Sequence, residues 1–164
     1  MSLLSELGRG EFGVVMEGAA VNLPGQSNGI TPVAIKSLHQ STSNRELHLF
    51  MSEAVRAAKL NHTNVVRLLA VCFTGQPSFL VFEFMSNGDL KTYLSLIRQS
   101  QTEGMIGTPH MLKLTRDVAA GFAYLASLDV VHRDLAARNV LLDSHFTAKL
   151  GDLGLARQLY QSEV

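Results

Sequence analysis

The sequence predicts an α+β fold of two lobes joined near residues 83–88. Three observations carry that expectation. Short β-prone runs fill the first half around one helical period. Helical periods, split by a polar loop, take over after Gly88. The 164 residues are 46% hydrophobic and 17% charged, too apolar a mixture for a disordered chain. A chain of this length is one domain or part of a larger one, and it can bury roughly 70% of its unfolded surface without staples.

Residues 12–16 and 33–36 read as strands, separated by a long hairpin loop over 22–32 rich in Gly, Pro, Asn and Ser. Leu47, Phe50, Met51, Ala54, Ala57 and Ala58 recur at three- and four-residue spacing, which predicts a helix. Two more strands are expected over 65–73 and 79–84, joined by Thr74-Gly75-Gln76-Pro77. Asn87-Gly88 marks a turn before a helix over 89–97. A polar loop over 98–108 leads to a helix with Leu114, Val118, Gly121, Phe122 and Leu125 on one face. Residues 130–146 read as a loop with short strands, and 148–151 as a further strand. There is no repeat and no low-complexity tract.

Charge and cysteine usage exclude several classes of function. Fourteen Lys and Arg balance fourteen Asp and Glu, so no global basic field recruits nucleic acid or anionic lipid. The lone Cys72 excludes an internal disulfide framework, fits a reducing compartment and is expected as a small buried hydrophobe. The apolar run 118–128 lies between Asp117 and Asp129 and is shorter than the roughly 18 residues a membrane span needs. The first residues lack both a basic and an apolar leader region. The histidines are scattered without ligand spacing, which argues against zinc.

The chemistry-bearing residues fall into four motifs. Gly8-Arg9-Gly10-Glu11-Phe12-Gly13-Val14-Val15 would let backbone N–H groups approach a polyphosphate, although glycine turns are common. A dinucleotide-binding fold needs a helix after the last glycine, and a β-branched run stands there instead. A lysine ending an apolar strand, as in Val33-Ala34-Ile35-Lys36, is ordinarily a solvated edge residue. Here Glu53 follows Phe50 by three residues and precedes Ala57 by four, on the apolar face of its helix. A carboxylate there needs a cation, and Lys36 is the available one, with Glu46 as the rival acid. Third comes His132-Arg133-Asp134-Leu135-Ala136-Ala137-Arg138-Asn139, whose acid and amide can hold a hydroxyl and a metal together. The fourth is Asp152-Leu153-Gly154.

In this order the four motifs resemble the protein kinase catalytic domain, and Ala136-Ala137-Arg138 resembles the tyrosine kinase form of its catalytic loop. The resemblance covers essentially the whole chain. It implies a small lobe of antiparallel strands with one helix and a linker (1–85), followed by an incomplete helical large lobe (86–164). It implies ATP and Mg²⁺ as cofactors and protein tyrosines as substrates. By the same resemblance Leu7, Gly8, Gly10, Gly13, Val15, Ala34, Leu141 and the linker residues Glu83 and Met85 would surround the nucleotide. Phe82 would narrow the rear of its pocket. Lys36, paired with Glu53, would bind the α- and β-phosphates. Asp134 would accept the substrate proton beside Arg138, while Asn139 and Asp152 would hold Mg²⁺.

The 18–32 loop, the Phe82-Glu83-Phe84-Met85 linker, Asn87-Gly88-Asp89-Leu90 and Gln158-Leu159-Tyr160 resemble receptor kinases of the Trk, Ror and insulin-receptor type. That likeness implies a cytoplasmic location as the intracellular portion of a single-pass receptor, with Tyr160 at an autophosphorylation position. Two departures stand out. Leu153 replaces the family's commoner phenylalanine, and the sequence stops at Val164 within the activation segment, as expected of a fragment with little activity of its own. The alternative is an inactive, nucleotide-binding interaction module of pseudokinase type.

Overall fold

Period-two alternation along residues 30–38 builds the centre of an antiparallel sheet. The computed structural model describes residues 2–9, 13–23, 25, 29–38, 43–74, 77–99 and 107–158. The expectations placed on Gly10, Phe12 and Tyr160 lie outside the described residues. By contact the chain divides into two units, 1–60 with 67–84, and 61–66 with 85–164.

In the first unit, β1 (Ser2–Arg9), β2 (Gly13–Val21), β3 (Ile30–Leu38), β4 (Leu68–Cys72) and β5 (Phe79–Glu83) pair in the order β1-β2-β3-β5-β4. Val33 and Ile35 point to one face, where they pack with Ala20 and Val81. Leu38 and Leu80 point to the other, against Phe50 and Ala54 of α1 (Asn44–Ala58). Lys36 lies at even spacing from Leu38 and so faces the helix. A capping box starts α1: Ser43 N–H donates to Glu46 Oε2 at 2.6 Å, and Glu46 N–H to Ser43 Oγ at 3.3 Å.

Several boundaries differ from the sequence expectation. β1 has no apolar periodicity because all its residues are exposed; backbone pairing with β2 alone makes it a strand. The hairpin loop is shorter than 22–32, since the ladder runs on to Val21 opposite Ile30. β2 begins at Gly13, where a Cβ would strike the Ser37 carbonyl. Cys72 is half-buried rather than buried.

The second unit forms around α3 (Thr108–Ser127). The strand expected from residue 65 starts at Leu68, because Val65 and Val66 turn aside to Leu150. Val66 N–H donates to Leu150 O and Leu150 N–H to Asn64 O, both at 2.9 Å. Segment 61–66 therefore sits with the second unit although it precedes β4 in the chain. α2 (Leu90–Gln99) is followed by α3, then β6 (Val130–Val131), a 3₁₀ turn (Ala137–Asn139) and β7 (Val140–Leu142). β7 pairs with β8 (Ala148–Leu150), and β6 pairs with β9 (Arg157–Gln158). Asp117 is buried on the apolar face of α3, where its Oδ2 accepts Lys113 Nζ at 2.9 Å and Ala148 N–H at 3.2 Å.

Gly121 lets α3 reach segment 61–66. A Cβ there would lie 2.5 Å from Asn64 O and 3.0 Å from the Leu150 side chain. An interior helical Gly→Ala change ordinarily gains up to about 1 kcal/mol. Gly121→Ala reverses that sign and destabilises by about 1–3 kcal/mol through overpacking, as read from urea or thermal unfolding against wild type.

Candidate functional site

Register assembles the part of the site carried by the first unit. Gly8 pairs with Val15, Val15 with Lys36, and Lys36 with Leu80, giving one row across four strands. Directly opposed residues share a face, so Val15 lies on the Lys36 side, as do Ala34 and its partner Phe82. Lys36 Nζ donates to both oxygens of Glu53 at 2.8 Å. Glu53 is buried while the lysine side chain keeps 26% exposure. Glu46, the rival acid, serves the helix cap. Leu7 is exposed on β1. Glu83, at the end of β5, gives its N–H to Arg67 O at 3.0 Å and accepts Arg67 N–H on Oε1 at 2.8 Å.

In the second unit, residues 132–139 form a loop held by its own polar groups. His132 is buried; its Nδ1 accepts Asp134 N–H at 3.3 Å and its Nε2 lies 2.8 Å from Gly151 O. An accepting Nδ1 places the proton on Nε2, which then donates to the carbonyl. Asp134 Oδ1 accepts Arg138 Nη2 at 2.7 Å, and Oδ2 accepts Asn139 Nδ2 at 2.8 Å. The same Nδ2 reaches Asp134 O at 2.8 Å. Gly151 N–H donates to Asn139 O at 2.8 Å, which sets Asp152 next to the loop. Arg133 (φ 70°) and Asp152 (φ 50°) both hold left-handed backbone that non-glycine residues rarely adopt. Met85 and Leu153 are buried, and Leu141 is half-buried on β7. Sequence reasoning missed Asn64 and Asp117, although Asp117 follows Leu114 by three residues and precedes Gly121 by four, the same phase that singles out Glu53.

The donors available to a cation are oxygens. Both Asn139 side-chain bonds leave from Nδ2, so a metal would meet its amide oxygen, and Asp152 adds a carboxylate. Among the described residues no three His, Cys, Asp or Glu side chains form a cage. Magnesium suits this sparse oxygen set, because it usually takes one or two carboxylates and completes its shell with water and phosphate. Asn139 first, then Arg138, hold the Asp134 carboxyl below the usual aspartate range. The carboxylate therefore keeps both contacts as pH falls through that range and loses them only below it. Asn139→Ala moves the Asp134 midpoint upward, toward the ordinary aspartate value, in a carboxyl-carbon NMR titration. An unmoved midpoint would mean that the amide bond does not set it.

Comparison with known proteins places the chain in a family. The model of the protein tyrosine and serine/threonine kinase family matches residues 1–164. The human insulin receptor-related protein is 41% identical over 170 residues, covering 99% of this chain and 13% of that protein. The insulin-like growth factor 1 receptor of Xenopus laevis is 40% identical over 163 residues, 96% of this chain and 12% of the relative. The rat proto-oncogene tyrosine-protein kinase ROS is 37% identical over 169 residues, 99% of this chain and 7% of its own length. The chain thus spans about a tenth of the curated relatives it matches, and no helix among the described residues is long and apolar enough to cross a membrane. On the family match and on identities near 40% across nearly every residue, the chain belongs to the protein tyrosine and serine/threonine kinase family.

Proposed function

We propose that the protein transfers the terminal phosphoryl group of ATP to tyrosine hydroxyls of other proteins, as the intracellular part of a receptor. The observation that carries this reading is Asp134, fixed through one oxygen by Arg138 and through the other by Asn139. A carboxylate so held can receive a hydroxyl proton without first reorienting. The same contacts, Asn139 first and then Arg138, hold the carboxyl below the usual aspartate range, so it stands ionised and able to accept. Tyrosine as acceptor rests on Ala136-Ala137-Arg138 and on relatives named as receptors and as a tyrosine-protein kinase.

The other residues position the reactants. Lys36, oriented by Glu53, would bind the α- and β-phosphates as a point charge. Gly8 and Gly13 let the backbone approach those phosphates, and Leu7, Val15, Ala34 and Leu141 would enclose adenine beside the Glu83 and Met85 backbone. Asn139 and Asp152 would hold Mg²⁺, which when bound neutralises phosphate charge. ATP is a cytoplasmic reactant, so the catalytic residues belong on that side of a membrane.

Asp134→Asn in the full-length protein tests the assignment. It keeps ATP binding while phosphorylation of a tyrosine peptide falls by about 10²–10⁴. Near-normal turnover by the variant would contradict the proton-acceptor role.

A further inference from the structure

We propose that Asn87 is a positioning residue for the nucleotide, its side-chain amide clamping the linker at Met85 to the strand that carries Leu141. This rests on the nucleotide-binding reading above. Residues 85–89 run beside β7: Asn87 N–H donates to Leu142 O at 3.0 Å, Leu142 N–H donates to Gly88 O at 2.8 Å, and Asp89 bridges Leu141. A turn closes the same segment, with Gly88 (φ 66°) donating its N–H to Met85 O at 3.0 Å. The backbone pairing sets the register. Beyond that pairing, the buried Met85 seats one end of the linker.

Asn87 adds a side-chain hydrogen bond to the β7–β8 turn. Its Nδ2 donates to Asp143 O at 2.6 Å, a carbonyl that also accepts Phe146 N–H at 3.0 Å. Asp143 is the fixed point of the β7–β8 turn: its Oδ1 accepts the N–H groups of His145 and Thr147, each at 2.8 Å, and its own N–H donates to Thr147 O at 3.2 Å. The amide therefore ends on a carbonyl that has little freedom to follow it. Met85 lies two residues before Asn87, and Leu141 one residue before the Leu142 that pairs with it. Releasing the clamp loosens the spacing between the backbone and the side chain that would hold adenine by its edge and by its face.

The chemistry also specifies the residue. A carbonyl oxygen needs a donor, and a carboxylate of the same shape would turn lone pairs toward lone pairs. Asn87→Ala, Asn87→Asp and Asn87→Gln are compared with wild type in the full-length protein, by steady-state phosphorylation of a tyrosine peptide. The KM for ATP rises about fivefold in the alanine variant, the loss expected of one neutral hydrogen bond. It rises further in the aspartate variant, while glutamine, which keeps an amide donor on a longer arm, recovers part of the loss. In each case the larger share falls on KM rather than on kcat. An unchanged KM in the alanine and aspartate variants overturns the proposal, as does a loss carried by kcat. If Asn87→Ala fails to fold, Asn87→Asp against Asn87→Gln makes the same comparison. A wild-type protein that neither binds nor uses ATP overturns the nucleotide reading itself, and the clamp's role with it.

Discussion

Glu53 sits on the face of α1 that packs the sheet, and a carboxylate is tolerable there because Lys36 meets both of its oxygens. The pairing fixes more than two side chains. It requires β3 to present its even-numbered residues to α1, which sends Val33 and Ile35 to the opposite core. It also requires Glu46 to be employed elsewhere, and the capping box with Ser43 employs it. Breaking such a pair by removing one partner costs about 3–5 kcal/mol when both groups are buried, and less here because Lys36 keeps some water. The second unit repeats the principle with Asp117, whose oxygen takes both a lysine and a main-chain N–H. Asp134 differs in kind. Its partners leave it accessible, which a buried structural carboxylate could not be.

Main-chain geometry around Asp134 depends on His132. One ring nitrogen receives the Asp134 N–H and the other reaches Gly151, so a single buried side chain ties the loop to the residue before Asp152. Two left-handed residues, Arg133 and Asp152, flank these contacts. Such backbone persists only where surrounding bonds over-determine it. Here the Asn139 amide bonds Asp134 O, the Gly151 N–H bonds Asn139 O, and the Gly151 carbonyl meets His132 Nε2.

What could be read from the sequence follows from which signals are local. Helical phase places Glu53 on the buried side of α1, and it places Asp117 there in α3 by the same spacing. The 132–139 motif is legible because its acid, cation and amide fall within one turn of chain and hold one another. β1 carries no signal, since a strand exposed along its whole length has no hydrophobic alternation to show. The side-chain bonds of Asn64 and of Asn87, which reads only as a turn residue, are silent for another reason. Each residue bonds a main-chain carbonyl far along the chain, at Ala148 and Asp143, and a carbonyl looks the same whatever residue bears it. Residues 65–66 read as strand by composition, but their partner is Leu150 and not the sheet.

Asn139 and Asp152 come from the two ends of one hairpin, β7–β8, and the Gly151 N–H to Asn139 O bond closes it below them. Their separation is therefore set by a ladder of paired strands and not by the path of a loop. Added length at the tip of that hairpin, between Asp143 and Thr147, would leave the two side chains where they are. A single residue added within either strand would shift the pairing by one and turn its side chains to the opposite face. Insertions in related chains should accordingly collect at the tip or nowhere, and the tip itself is narrowed by the bonds that Asp143 makes to its own turn.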